Sequence, residues 1–412
     1  MRKSPMNEFS VEEYQARIDS LTQKIRESGL DAIMLSSKEN TRYFCGLQSI
    51  IWSSKVSTPG ILLVNADGEI ALVGSASAVE TAQYTSAVDD DQIFWYDRNC
   101  IPGIPSTYPT AIAAAFSRLG ITNGKIGAEL GSSCYFQMQY HWYQELCALM
   151  PGVIFQDASQ IIFSQRSIKS PTEVRILADV CRQNEDALTA ALRKIAPGKT
   201  TELEFSRLFA EEAFRRHCEN VQELSVRSTP QRIPLEHCPA SEEIIGKNGF
   251  SPLFISGGLF THGYYSYIER TSTIGIPSAH QSRLFKSALD TALFACSQIR
   301  SGANTVEIIR ATNAYADHLS EASHYVSRGN LGGGLGLDPI EPPYLLDTYP
   351  PTTLQSGMVL YVSPRFGTPE LGYFPCTISL VVTDNGCQFL SSLIKDQIML
   401  SSESSPLRNQ TP

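Results

Sequence analysis

Two side chains in the middle of the chain have the chemistry for moving a proton and holding a charge, the carboxylate of Glu269 and the imidazole of His237. Imidazole ionises near neutral pH, so a histidine can take a proton from water and return it to a leaving nitrogen. A carboxylate in a water-poor pocket can hold a cationic group or attack a carbon as a nucleophile. The two groups could therefore carry out general acid/base or nucleophilic chemistry. The alternatives are a strand glutamate paired with Arg270 and a histidine at the surface or in the core.

Glu269 lies in a segment whose pattern predicts β-strands. Residues 254–275 read FISGGLFTHGYYSYIERTSTIG, within a stretch of strand patterns from 223 to 275. Alternate residues of a strand point to the same face, so Tyr267 and Glu269 should share one. His262 lies beside Gly263, where it would line the mouth of a pocket or cap the turn.

Helical and strand patterns divide the chain into two domains. Residues 1–165 alternate between the two patterns, which predicts an α/β domain. Residues 166–400 show two helices, strands, two more helices and further strands, which is typical of an α+β domain. The Ser/Pro-rich segment 401–412 predicts a disordered tail.

Length and composition narrow the class of protein. The chain has 412 residues and 42% hydrophobic residues, which is enough for two cores because single cores seldom exceed roughly 250–300 residues. The net charge of −9 argues against nucleic acid or an anionic membrane as a partner. The chain shows no signal-peptide pattern and no apolar run near the roughly 20 residues that cross a bilayer. Its ten cysteines form no CxxC pair, which favours free thiols and a cytoplasmic location.

Several segments resemble the pita-bread family, which holds methionine aminopeptidases, proline-specific peptidases and creatinase. The family's domain junction, Arg-x-x-Lys-Ser-x-x-Glu, is matched by Arg166, Lys169, Ser170 and Glu173. Segment 254–275 resembles the family's first metal-ligand hairpin, and 341–343 (Glu-Pro-Pro) resembles the end of its His-Glu-Pro-Pro motif. The resemblance implies a creatinase-like α/β N-terminal domain, an α+β pita-bread domain and a homodimer.

In the peptidases of that family, five Asp, His and Glu ligands hold a dinuclear metal centre, and two of the Asp residues are eleven positions apart. The resemblance places these five ligand positions at neutral residues: Ser256, Tyr267, Gly333, Ser363 and Thr377. A second family histidine falls at Ile340. Divalent cations need carboxylate charge and imidazole nitrogen to replace their hydration shells. We therefore expect no metal ion and no other cofactor.

Residues 263–271 (GYYSYIERT) resemble creatinase, a metal-free member that hydrolyses a C–N bond of creatine. Ectoine hydrolase, which opens a cyclic amidine, is similar in kind. The resemblance implies a metal-independent hydrolase of an amidine, guanidine or cyclic amide, with Glu269 as cation binder or nucleophile and His237 as general acid/base. Creatine is a poor candidate substrate because creatinase keeps the Gly-His turn and the Glu-Pro glutamate that this chain lacks.

Five residues are candidates for contacting the small-molecule substrate: His262, Glu341, Tyr267, Trp52 and Lys55. Glu341 would hold a polar substrate group or form a buried ion pair. In creatinase-type dimers the first domain of one subunit caps the active site of the other. The resemblance places the loop that holds Trp52 and Lys55 at that cap. Lys55 would bind a carboxylate and Trp52 would stack on a planar amidine, or they are an exposed lysine and a packing tryptophan. Two other functions stay open, a non-catalytic binding protein and a metal-dependent Xaa-Pro peptidase.

Overall fold

The computed structural model describes residues 1–53, 58–131, 134–247, 251–392 and 399–400. The chain separates into two units, of which the first ends at Arg166 and the second begins at Ser167. Lys55 and the predicted tail 401–412 lie outside the described residues.

The first unit is an α/β domain around a six-stranded mixed sheet. Its helices are α1 Val11–Glu27, α2 Lys38–Cys45, α3 Val79–Thr85, α4 Tyr108–Arg118, α5 Tyr140–Leu149 and α6 Ser159–Arg166. Its strands are β1 Ala32–Leu35, β2 Ile61–Asn65, β3 Ile70–Ser75, β4 Ile93–Tyr96, β5 Gly124–Ala128 and β6 Val153–Asp157. The strand order is β4-β3-β2-β1-β5-β6, and helices α4 and α5 share a hydrophobic core with the sheet.

The second unit alternates pairs of helices with sheets. Its helices are α7 Pro171–Leu192, α8 Glu202–Arg215, α9 Ala279–Gln298 and α10 Thr305–Asp317. The strands of the first sheet, in the order β17-β9-β8-β7, are β7 Asn220–Arg227, β8 Ser251–Thr261, β9 Tyr264–Ile274 and β17 Met399–Leu400. The second sheet, in the order β11-β10-β12-β15-β16, holds β10 Asn330–Gly334, β11 Glu341–Leu346, β12 Val359–Val362, β15 Ile378–Thr383 and β16 Gly386–Phe389. A two-stranded ribbon joins β13 Arg365–Thr368 to β14 Gly372–Pro375.

Local sequence signals fix where the helices of this unit begin. Ser170 forms a capping box with Glu173 at the start of α7, and Pro171 occupies the first turn, where its missing N–H costs nothing. Helix α8 buries Phe205 and Phe209, and burial of each contributes roughly 1.5–3 kcal/mol to the free energy of unfolding. In the described ranges, every helix is too short or too polar to cross a membrane.

Candidate active site

The carboxylate of Glu269 is buried, with 4% of the residue exposed, and it accepts three hydrogen bonds from side chains. Its Oε1 accepts from the Tyr267 hydroxyl at 2.9 Å and from Nη2 of Arg365 at 2.6 Å. Its Oε2 accepts from the Ser363 hydroxyl at 2.7 Å. Glu269 is therefore an interior carboxylate with its own guanidinium partner, and not an exposed strand residue.

The β8–β9 hairpin sets the direction of this carboxylate. Thr261 pairs with Tyr264, so the loop is two residues long, and both of its residues have positive φ, 51° at His262 and 76° at Gly263. Such short turns with positive φ fix the register of a hairpin. The register places Ser256 opposite Glu269, with Tyr267 on the same face as Glu269.

Thr377 connects Glu269 to the second sheet. The backbone N–H of Glu269 donates to Oγ1 of Thr377 at 2.9 Å, and Oγ1 of Thr377 lies 2.7 Å from Oγ of Ser363. Nη2 of Arg270 donates to the Thr377 carbonyl at 2.9 Å, and Nη1 donates to the Glu269 carbonyl. Two residues at positions where the resemblance places metal ligands, Ser363 and Thr377, thus form a hydroxyl chain that ends on the Glu269 carboxylate.

Arg365, the first residue of β13, is the charged partner of Glu269. Its Nη1 contacts Oε1 of Glu236 at 3.3 Å, and its guanidinium lies 5.4 Å from the centre of the Phe254 ring. Nε of Arg365 is buried and has no hydrogen-bond partner in the part of the chain that the structure describes. Burial opposes the charge, but Glu269, with Tyr267 and Glu236, outweighs it and raises the pKa of Arg365.

These groups line a cavity of about 130 Å³. The lining residues come from β9, β10, the stretch from β12 to the start of β13, and the segments before β8 and β10: Glu236, Tyr267, Glu269, Val326, Ser327, Asn330, Leu331, Gly332, Tyr361, Ser363 and Arg365. One water needs roughly 10–15 Å³ on this measure, so the cavity has room for several waters or a small polar molecule. The rings of Tyr267 and Tyr361 lie 4.9 Å apart, and burial raises the pKa of both phenols, which keeps them protonated as donors.

Two family models match most of this chain. The model of metallopeptidase family M24 matches residues 175–389, and the model of the creatinase/prolidase N-terminal domain matches residues 17–168. The chain belongs to metallopeptidase family M24. It is therefore a hydrolase of that family. The predicted fold, a creatinase-like N-terminal domain followed by a pita-bread domain, is confirmed.

Individual relatives are distant but match over nearly the full length. The uncharacterized peptidase YqhT of Bacillus subtilis is 23% identical over 390 residues, which cover 93% of this chain and 100% of that protein. The ectoine hydrolase of Halomonas elongata is 23% identical over 405 residues, covering 93% of this chain and 96% of the hydrolase. The structure of an Xaa-Pro dipeptidase from Bacillus anthracis is similar with a TM-score of 0.77 and 22% identity, covering 94% of this chain and 100% of that one.

The M24 family implies a dinuclear metal centre, and the residues at the matching positions do not fit one. Four of them offer neutral hydroxyl groups: Ser256, Tyr267, Ser363 and Thr377. Gly333 has no side chain, and a Cβ built there would lie 3.0 Å from Cδ1 of Ile340, so Ile340 occupies the space beside it. Glu269 supplies a carboxylate, but Arg365 already binds it with a positive charge that would repel cations. Hydroxyls and a guanidinium are poor replacements for the hydration shell of a divalent ion.

The structure does not bring the other predicted residues together with Glu269. His237 is exposed, adopts a left-handed backbone (φ 55°) and is absent from the cavity lining, although its neighbour Glu236 is part of it. His262 is exposed at the hairpin turn. Trp52 is half-buried in a short 3₁₀ segment of the first unit. The roles predicted for these three residues stay predictions.

Glu341 has a different place from the one predicted for a substrate-binding residue. It is 1% exposed and forms an ion pair with Lys169, whose Nζ donates to Oε1 at 2.8 Å. The side chain of Lys169 is equally buried. A buried carboxylate needs such a partner because unpaired charge is costly in the interior. Glu341 therefore corresponds to the buried ion pair that was its alternative, and it does not line the cavity at Glu269.

Arg365 is the functional residue that sequence reasoning missed. The available signal was its position two residues after Ser363, since such residues share a face when the chain is extended. A positively charged side chain at position 365 would then point towards the same pocket as the side chain of Ser363, where the resemblance places a metal ligand. The signal is weak because the structure ends β12 at Val362 and begins β13 at Arg365.

Proposed function

We propose that this chain hydrolyses a C–N bond of a small amidine, guanidine or cyclic amide without a metal ion. The observation that carries the proposal is the buried carboxylate of Glu269, which lines a polar cavity where the resemblance places the metals of family peptidases. The full-length similarity to the ectoine hydrolase of Halomonas elongata also supports it.

Glu269 has one oxygen that is less occupied than the other. Oε1 accepts hydrogen bonds from Tyr267 and Arg365, whereas Oε2 accepts one from Ser363. Each carboxylate oxygen has two lone-pair sites, so Oε2 retains one for a substrate N–H or for attack on the substrate carbon. Oε2 is therefore the reactive atom in this proposal.

Arg365 supplies a fixed positive charge next to that atom. Its buried guanidinium would stabilise negative charge that develops on the substrate during attack, in a cavity where such interactions are stronger than in water. It also balances the charge of Glu269. A cationic substrate would thus be held by directed hydrogen bonds rather than by net negative charge, and neutral cyclic amides fit as well as amidines. The role of His237 as general acid/base remains part of the proposal, although it is exposed here.

Activity assays of the full chain test this proposal. The purified protein is assayed with amidines, guanidines, cyclic amides and Xaa-Pro dipeptides, with and without chelator. We expect turnover of one of the first three classes, unaffected by chelator. Glu269→Gln removes the charge at constant size and should lower kcat by at least about 100-fold, as expected for loss of a nucleophile or electrostatic partner.

Glu242→Gln is the matched control because Glu242 is exposed in the same unit, and this variant should keep wild-type activity. Full activity of Glu269→Gln would remove Glu269 from the mechanism. Xaa-Pro cleavage that chelator abolishes would instead support a metal-dependent peptidase.

A second candidate is a binding protein on the same fold. The observation that favours it is the self-contained network around Glu269, in which Arg365, Tyr267 and Ser363 already satisfy the carboxylate. In that case a compound from the same panel would bind, shown by calorimetry, with no turnover by either the wild type or Glu269→Gln.

A further inference from the structure

A group of side chains of the kinds that bind metals lies outside the cavity, at the start of α9 and just after α10. Nε2 of His280 lies 3.0 Å from Oε2 of Glu321, and Nδ1 of His324 lies 3.2 Å from the same oxygen. All three ligand atoms lie within 4.8 Å of one another. We propose that His280, Glu321 and His324 form a binding site for one divalent transition-metal ion of the Zn²⁺ class.

Two of the three separations between the ligand atoms are close to those of tetrahedral coordination. Bonds from Zn²⁺ to imidazole nitrogen and carboxylate oxygen are roughly 2.0–2.2 Å, so two ligand atoms of one tetrahedron lie about 3.3–3.5 Å apart. The two contacts of Oε2, at 3.0 and 3.2 Å, are close to that separation. Small movements of the imidazoles would therefore admit an ion, with a shift of a few tenths of an ångström at each contact.

The carboxylate of Glu321 is oriented by a second side chain, as a metal ligand needs. It is buried, with 5% of the residue exposed, and Nε of Arg283 donates to its Oε1 at 2.7 Å. Oε1 is thus fixed by Arg283 and Oε2 remains for the ion, an arrangement in which a second group orients the ligating carboxylate.

The site is open to solvent on the side of the histidines. The side chains of His280 and His324 are 33% and 26% exposed, and their rings meet edge to face at 5.1 Å. An ion can therefore enter from water and keep a water molecule as its fourth ligand. The ligand set of two histidines and one carboxylate suits Zn²⁺, Co²⁺ or Ni²⁺ better than Mg²⁺ or Ca²⁺, which prefer oxygen ligands.

Such an ion would stabilise the segment that directly precedes residues lining the cavity. His324 is followed by Val326 and Ser327, which line the cavity beside Glu269, and by the bridge from Tyr325 to Phe366. Binding of the ion to α9 and to residues 321–324 would hold this segment in place. The proposed metal is structural and takes no part in the chemistry of the cavity.

Cobalt and zinc titrations of the full chain test the site. The protein is stripped with chelator, desalted and titrated with Co²⁺ while visible absorption is recorded, then with Zn²⁺ by calorimetry. We expect one ion per chain, a tetrahedral Co²⁺ spectrum without thiolate bands, and a higher melting temperature with Zn²⁺ because the ion binds the folded state. His280→Ala, His324→Ala and Glu321→Gln should each weaken binding by more than about tenfold.

His318→Ala is the matched control, because His318 is an exposed histidine six residues before His324 that is outside the group. This variant should bind as the wild type does, and so should Glu269→Gln. Absence of binding to the wild type, unchanged binding by His280→Ala together with His324→Ala, or thiolate-to-cobalt bands from the free cysteines would overturn the proposal. Loss of binding in Glu269→Gln would place the ion in the cavity and overturn it too.

Discussion

The carboxylate of Glu269 forms an ion pair with Arg365, in addition to its hydrogen bonds from Tyr267 and Ser363. The side chains of Glu269 and Arg365 are 5% and 20% exposed, and their closest atoms are 2.6 Å apart. Removing one member of a buried pair leaves the other charge without compensation, which costs more than the pair contributes when intact. The stability of the protein is therefore sensitive to each residue of the pair separately, and much less to loss of both.

A double-mutant cycle measures this dependence. Arg365→Met should lower the free energy of unfolding by about 3 kcal/mol, because Glu269 then remains buried and unpaired. The double variant Glu269→Gln/Arg365→Met should recover more than half of that loss, as measured by urea unfolding. Arg182→Met is the control, since Arg182 is 65% exposed in its surface pair with Asp179. Additive losses in the cycle would contradict the predicted coupling.

Helices α7 and α8 are linked by one carboxylate, that of Glu212. Oε1 accepts from Nζ of Lys194, beyond the end of α7, at 2.6 Å, and Oε2 accepts from Nη1 of Arg216 at 2.6 Å. Hydrogen bonds from Lys194 and Arg216 lower the pKa of Glu212 from 4.5 to about 2. The folded pKa is depressed, so this link stabilises the fold above about pH 4.5 and is lost as the pH falls towards 2.

Glu212→Gln should therefore remove stability at neutral pH and little at low pH. The difference in the free energy of unfolding between wild type and variant should be full near about pH 6 and should shrink steadily below about pH 4.5. Urea unfolding across that range measures it. Glu211→Gln is the neighbouring control, because the Glu211–Arg215 pair is exposed and such pairs contribute little. A difference that does not change with pH would show that Glu212 acts through packing rather than charge.

At the scale of the whole molecule, the order of elements could be predicted from the sequence because periodicity and breakers are local. The first of the helices predicted in the second domain is α7, which begins at Pro171 after the Ser170 cap. The hairpin prediction is realised in β8 and β9, and the two-residue turn follows from Gly263. The resemblance supplied the duplicated arrangement of helix pairs and sheets, which periodicity alone did not.

The centre of the candidate site was predictable only in part. Alternation on one strand placed Tyr267 and Glu269 on a common face, and the structure agrees with that placement. The same rule says nothing about side chains that come from another sheet, so it did not predict that Arg365 contacts Glu269. To predict the place of Glu341, one would have to know that it forms an ion pair with Lys169, which lies 172 residues earlier in the sequence. The proposed homodimer, the cytoplasmic location and the small-molecule partner stay predictions.

The hydrogen bond from the Glu269 amide to Thr377 should report on motion between the two sheets of the second unit. The amide of Glu269 donates to the hydroxyl of Thr377, the residue before β15 of the other sheet, so separation of the two sheets at this point would break this bond. Its exchange with deuterium would then follow separation of the sheets and not fraying of β9. A ligand that bridges both sheets should slow the exchange of this amide more than that of the hairpin turn at Gly263. Mass spectrometry of overlapping peptides that together cover residues 260–274 would show the difference, and equal slowing of both amides would mean that the sheets move as one body.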